Sequence, residues 1–487
     1  MSLTRGLRVR PAKGGRSGAL SEGWKLVVSL GCVSGAAALA NGLFFRLSAG
    51  VTGLSVLGMS IAIATVAPAL VVAACGGSEA QTRLCFEPLG VAFGSTRFAV
   101  GTLLAMSLGI LLRAQLLGER PRRPLFGAHF VAAALLTFGI VVNVAYGRTW
   151  IPGEQIRYLY LLFGMWAGVW LWWIYLSTAA SAWEAASRLA VFAAAVKCSA
   201  LVVNVIDGAG SIAPLFDVTA SFWTVNEGRL SLGKEGSPIA LSIEVLAPII
   251  VVLLSALGHQ NLPTWMRLAA ILGSAQLFVL MTATGTRQGL VGLAAAAWVV
   301  VAVWRRRTPI VPRAVLVGLL ILLFFVPTVE RVLLPVQRVL LGRRELRPGG
   351  SLLVDRWRME VVRRDLATMV VSNPVLGGGV GLSSVNNSAW RDPSHNLFAS
   401  VGVELGMLPM AILAIAAAVA WKSLNDLAGR PLAGKNARFA VAACGGLFVL
   451  NFVGSLASGR LEGGVPWFGW SLALWLMGRQ EVYGRVK

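Results

Sequence analysis

Charge is scarce in this chain, and what there is leans to one sign. Only 13% of the 487 residues are charged, whereas 56% are hydrophobic, and the mean hydropathy is +0.73. A water-soluble fold of that composition would expose far too much apolar surface. Histidine occurs three times, at His129, His259 and His395. No HExxH pair and no Cys/His ligand set is present, so a preformed metal site has no support in the sequence. The five cysteines (Cys32, Cys75, Cys85, Cys198 and Cys444) lie mostly in apolar runs without metal spacing. Cys75 and Cys85 could bracket an outside loop as a disulfide, or remain two buried thiols. There is no GxxxxGK[ST] loop, which argues against energy from bound ATP, and no cofactor is implied. No internal repeat supports the inverted-repeat logic of many transporters.

What is present is a succession of apolar runs. Crossing a hydrocarbon core as helix takes about 20 such residues, and candidate spans are 24–45, 51–74, 97–117, 127–146, 156–178, 188–206, 238–257, 265–283, 289–304, 313–330, 396–421, 437–456 and 465–478. The fold class is therefore all-α, a polytopic integral membrane protein. Forty-three basic residues against 21 acids leave a net charge of +22. Nucleic acid is not the inferred partner, because clusters such as Arg305/Arg306/Arg307/Arg313 flank apolar spans, as the positive-inside rule predicts for cytoplasmic segments. With 305–313 cytoplasmic, residues 207–237, 284–288 and 331–395 face outside. Thirteen spans would then strand the basic N-terminal tail outside, so about 12 spans (12–14) are predicted, with both ends cytoplasmic. No cleavable leader is predicted. The organisation reads as a basic cytoplasmic tail (1–23), an N-terminal transmembrane bundle (24–330), an Arg-rich periplasmic loop (331–395), and C-terminal transmembrane helices with a cytoplasmic tail (396–487).

The loop 331–395 holds ten arginines, no lysine and five acids. So many outside cations call for an anionic partner, and the guanidinium fork matches phosphate bidentately. Residues 330–347 read as amphipathic, and 352–372 as a helix ended by Asn373–Pro374. Arg356, Arg358, Arg363 and Arg364 crowd that helix. Headgroup binding and local pairs such as Arg356–Glu360 are the competing structural reading. The run Gly377–Gly381 reads as a flexible turn whose backbone can approach a ligand. Arg287 lies in TGTRQG, a tight turn on the same outside face, and Arg229 lies in a polar outside connection. In DPSHNLF, Asp392 is predicted to cap a helix with Pro393 at its first position. His395 then falls in the first turn, where the helix dipole favours the neutral ring that can accept a hydroxyl proton. Glu404 is nine residues on, about two and a half turns at 3.6 per turn, which points it away from His395 on an ideal helix. Lys197 and Glu244 are ionisable groups inside predicted spans. Lys197 reads equally well as snorkelling or pairing and stays outside the predicted site.

TATGTRQGL, DRWRMEVVRRDLATMVVSNPVLGGGVG and SHNLFASVGVELGMLP together resemble the bacterial O-antigen ligase and O-antigen polymerase superfamily. Its ligases show a histidine, then Asn, Ser or Gln, then nine residues and a glycine; His395, Asn396 and Gly406 match that spacing. Three positions later Pro409 departs from the family's Gly, Thr or Tyr. The resemblance covers about residues 225–420. It implies a GT-C-like, metal-independent, inverting glycosyltransferase of the bacterial inner membrane with its active site facing the periplasm. The implied donor is a glycan on undecaprenyl diphosphate, and the acceptor a sugar of lipid A–core or another lipid-linked glycan. It implies His395 as the catalytic group and Arg287 and Arg356, with Arg358 as the alternative to Arg356, as diphosphate-binding; the residue pattern adds Arg363, which shares a helix face with Arg356, and Arg229. Asn396, Glu404 and Gly406 are supporting residues. A polymerase of O-antigen, capsule or exopolysaccharide remains the alternative within the superfamily, and a lipid-linked oligosaccharide flippase the alternative outside it.

Overall fold

The computed structural model describes residues 64–65, 67–75, 107–113, 134, 137–139, 141–143, 145–146, 171–177, 181–216, 224–226, 229–231, 241–258, 262–284, 286–306, 362–371, 373–379, 381–383, 396–430, 432, 435–456 and 465–484. The principal helices among them are α1 (Pro68–Cys75), α2 (Ala182–Ala209), α3 (Ala247–Leu257), α4 (Thr264–Ala283) and α5 (Arg287–Trp304). They continue with α6 (362–371), α7 (Leu397–Leu405), α8 (Met407–Ala428), α9 (Lys435–Leu456) and α10 (Val465–Gly484). Non-helical pairing among the described residues is a short antiparallel hairpin. In it β1 (Thr224–Asn226) faces β2 (Arg229–Ser231), with Asn226 opposite Arg229.

Among the described residues, four helices are long and apolar enough to cross a membrane: Ala182–Ile206, Thr264–Ala283, Met407–Ala428 and Asn436–Leu456. Two shorter apolar helices, Leu241–Leu257 and Gln288–Trp304, stand among them. Their large apolar side chains point outward as well as inward. Trp265, Leu272, Trp298 and Ile415 are all more than half exposed, as lipid-facing positions require. Helix α9 is central, with residues 439–451 buried. Small residues let it close on its neighbours: a methyl group on Gly446 would stand 2.7 Å from Cγ1 of Val251 in α3. Helix α2 begins earlier than the predicted 188–206, because Ser181 accepts from the Glu184 N–H and caps it.

The spans alternate in direction, and this fixes which ends lie together. Gly258, after α3, lies against Trp304 at the end of α5, beside the exposed Arg305 and Arg306. The starts of α3 and α5 and the end of α4 therefore share the opposite end of the bundle. At that same end an aromatic cluster joins three more helices. The Phe398 ring of α7 stands 5.9 Å from Phe452 of α9, which stands 5.7 Å from Trp467 of α10.

The predicted single span 396–421 is two helices. Gly406 divides it at φ 99°, ψ 172°, a region essentially reserved for glycine. The cap is also corrected: Asn396, not Asp392, caps α7, its side chain accepting from the Ala399 N–H at 3.1 Å. Helix α7 begins at Leu397, so His395 precedes the cap rather than occupying the first turn. Asp392, Pro393, the segment 330–347 and the spans 24–45 and 313–330 lie outside the described residues. Cys198 and Cys444 carry free thiols, while Cys85 and the side chain of Cys75 also lie outside.

Candidate functional site

The bundle end opposite Arg305 gathers two helix starts that carry candidate residues. The first is the TGTRQG turn between α4 and α5. Thr284 closes α4, its hydroxyl donating to the Met281 carbonyl at 2.7 Å and meeting the Thr286 hydroxyl at 2.8 Å. Both threonines are buried. Arg287 is the first residue of α5, whose first turn holds no acid. The first N–H groups of such a start have no partner within the helix, and with its dipole they favour an anion. The side chain of Arg287 lies outside the described residues.

The second is the start of α7. The far end of that helix is joined to α6 through the segment 373–379, and this junction is the most heavily tied part of the site. Helix α6 ends as predicted before Asn373–Pro374. The Asn373 side-chain oxygen accepts from the Val375 and Leu376 N–H groups, turning the chain. Gly378 then donates to the Val403 carbonyl at 2.8 Å and Gly379 to that of Glu404 at 3.1 Å, satisfying orphan carbonyls at the end of α7. In return the Met407 N–H, an orphan at the start of α8, donates to the Pro374 carbonyl at 2.7 Å. A methyl group on Gly406 would overlap the carbonyl of Val375, and one on Gly377 would overlap the backbone of Glu404. The glycine-rich run predicted to approach a ligand thus has Gly378 and Gly379 committed to α7. Asn143, from the N-terminal half, adds a side-chain bond from Nδ2 to the Leu376 carbonyl at 3.0 Å.

Side chains complete the junction. Met369 of α6, Leu382 and Val403 of α7 form a small second core. Asp365 is fully buried and accepts from the Ser383 hydroxyl at 2.7 Å. With Asp365 and Met369 turned inward, Arg363 and Arg364 remain exposed. Arg363 therefore stands on the open face of a helix fastened to α7. Glu404 is buried and lies near the far end of α7. At 1.5 Å per residue this is roughly 12 Å along the axis from Asn396, which removes it from the cap. Arg229 is placed by the backbone of β2; its side chain, and all of Arg356, Arg358 and His395, lie outside the described residues.

The two helix starts are linked by contacts. In the first turn of α5, Gly289 lies against the Ser242 hydroxyl. The neighbouring Ile243 is met by α9, where a methyl on Gly454 would stand 2.9 Å from its Cγ2. Phe452, two residues earlier on α9, touches Phe398, the second residue of α7. Arg287 and the residue following His395 are thus held at one end of one bundle. Sequence reading missed Asn143, Ser242 and Asp365. Only Asp365 carried a signal, an acid among arginines.

No curated protein matches this chain. Residues 272–414 match the family model described as O-Antigen ligase. That span opens within α4 and closes within α8, and so encloses Arg287, the Arg-rich loop, α6, α7 and Gly406. The chain is a multi-pass membrane protein whose region 272–414 is similar to the O-antigen ligase family.

Proposed function

We propose that the protein transfers a glycan from undecaprenyl diphosphate to a sugar hydroxyl at the periplasmic face of the inner membrane. Arg287, with Arg356, Arg358 and Arg363, holds the diphosphate at the starts of α5 and α6. The observation that supports this reading most is the junction at Gly406, which makes the helix of Arg363 and the helix beginning after His395 one unit.

In the reaction, His395 takes the proton of the acceptor hydroxyl. The hydroxyl oxygen attacks the anomeric carbon opposite the leaving group and forms the new glycosidic bond. The bond from that carbon to the diphosphate oxygen breaks, and its electron pair leaves with the diphosphate. The anomeric centre inverts. Charge grows on the diphosphate during the step, so the arginines stabilise the transition state more than the bound donor. The helix start at Arg287 carries no acid that would oppose this. Arg229 adds a donor from β2, and Asn396 holds the chain next to His395 through its cap.

The test is a chromosomal replacement of the gene by His395→Ala and Arg287→Ala. Both variants insert into the membrane at normal level, and both lose transfer. Normal surface-glycan ladders from both would overturn the assignment. A deletion strain separates the two products: accumulated lipid-linked polymer marks ligation, and single-repeat glycan marks polymerisation.

A further inference from the structure

We propose that Gln288 reads the sugar of the lipid-linked donor, its side-chain amide bonding a hydroxyl of the sugar that bears the diphosphate. The inference deepens the function proposed above and rests on Arg287 being a donor-binding group.

Gln288 follows Arg287 in the first turn of α5. Only 9% of it is exposed, and its Oε1 is buried without a hydrogen-bond partner among the described residues. Buried polar atoms are nearly always bonded, and an orphan calls for an explanation. The fold makes no use of this oxygen. Methionine would fill the same space without the cost of desolvating an amide.

The orphan stands beside an anion-favouring helix start, yet it is not itself suited to an anion. The Leu290 N–H reaches back to the Thr286 carbonyl at 3.3 Å, so the N–H groups of Arg287, Gln288 and Gly289 precede the first acceptor of the helix. Those groups favour negative charge. The amide oxygen needs an O–H or N–H donor instead. A diphosphate at neutral pH has none to give, and a sugar has several. A sugar hydroxyl both donates and accepts, so it satisfies either end of the amide. A reader of charge and a reader of hydroxyls thus follow one another in a single turn, as diphosphate and sugar follow one another in the donor.

The packing gives the amide its direction. Gln288 lies four residues before Gly292 and so shares its face of α5. A methyl group on Gly292 would stand 2.9 Å from Cδ1 of Leu450 and 3.8 Å from Cγ1 of Val453 in α9. The two helices run antiparallel, since Gly446 of α9 meets Val300 near the other end of α5. Gln288 is therefore level with the last turn of α9, next to Phe452, which touches Phe398 of α7. The amide is on the side of Arg287 that looks toward the start of α7, where a sugar between the diphosphate and the acceptor must sit. Its side chain is long and rotatable, and Oε1 has no partner to give up in turning to a ligand.

The test measures affinity in lipid nanodiscs holding the purified full-length protein. Two probes are used: an undecaprenyl-diphosphate-linked glycan, and undecaprenyl diphosphate without sugar. Compared are the wild type, Gln288→Met and Arg287→Ala. A neutral hydrogen bond is a factor of roughly 2–12 in affinity. We expect Gln288→Met to raise the Kd of the glycan-linked probe about fivefold and to leave that of undecaprenyl diphosphate unchanged. Without ligand its melting temperature equals or exceeds that of the wild type, because an unpaired buried amide is gone. Arg287→Ala weakens both probes. The inference is overturned if the ratio of the two affinities is the same in Gln288→Met as in the wild type. That ratio held constant with a lower melting temperature marks an ordered water as the amide's partner, and overturns it equally. If Arg287→Ala weakens both probes while Gln288→Met alters neither, only this inference falls. If Arg287→Ala binds both normally, the donor-site reading falls instead.

Discussion

Replacing Gly406 by alanine should detach the Arg-bearing helix from α7 without unfolding the bundle. Two costs combine. At φ 99°, ψ 172° an L-residue is strained, and its Cβ would overlap the Val375 carbonyl, a backbone atom that cannot rotate aside. The segment 373–379 must move, and with it go the bonds Met407 to Pro374, Gly378 to Val403 and Gly379 to Glu404. Strain of about 1–3 kcal/mol and three hydrogen bonds of about 0.5–1.5 kcal/mol each together weaken the junction by roughly 2.5–7.5 kcal/mol. Even the lower figure multiplies the open population by well over tenfold. Amide hydrogen exchange in lipid nanodiscs reads this directly, as faster exchange in peptides covering 373–379 and 403–410. Transfer should fall in parallel, while α9, buried elsewhere, keeps its protection. Gly210→Ala is the control. Gly210 also has positive φ (70°), yet nothing lies within 4 Å of its added methyl, so the substitution costs only about 1–2 kcal/mol in backbone strain at the end of α2. Exchange and transfer in Gly406→Ala indistinguishable from wild type would refute the account of the junction.

Four further outcomes follow from the same contacts. Asn396→Ala removes the cap of α7 and costs about 1 kcal/mol, seen as faster exchange at Ala399. Asn396→Asp retains the cap but places an anion beside the proposed diphosphate, so its donor KM rises. Met369→Ala empties the small core between α6 and α7 and costs about 2–5 kcal/mol, measured as a lower melting temperature of the detergent-purified protein. Pro409→Thr changes neither transfer nor melting appreciably. Residue 409 is third in α8, where a backbone N–H has no partner within the helix, so proline forfeits nothing there.

The apolar runs made the helical, membrane-spanning class legible, because hydropathy reports burial in lipid without reference to tertiary contacts. Their subdivision was less so. Gly406 sits inside a mostly apolar stretch, and a glycine there reads equally as a packing residue. Only the Val375 carbonyl and the positive φ show it to be a break. Asp392–Pro393 offered a better cap by residue type than Asn396, and type alone does not say where a helix begins. Lys197 was visible as an intramembrane cation, but its partner is a main-chain carbonyl. Backbone acceptors such as the Glu244 carbonyl leave no mark in a sequence. The Asn143 contact was beyond reach for a similar reason, since it joins residues 233 positions apart through the Leu376 carbonyl.

The motif that carried the family resemblance has a geometric content separable from its chemistry. Between Asn396 and Gly406 stand nine residues, and these nine are α7 itself, Leu397–Leu405. Asn396 starts the helix by capping Ala399; Gly406 ends it and admits Val375. The spacing is thus a helix length, and it brings the junction with α6 a fixed distance from the residue before the cap. Lengthening α7 by one residue would rotate its end by about 100° and misalign the carbonyls of Val403 and Glu404 with Gly378 and Gly379. Of the residues in the motif, Asn396 and Gly406 have sufficient reason in this geometry. The proposed chemistry belongs to His395, the residue that precedes the cap.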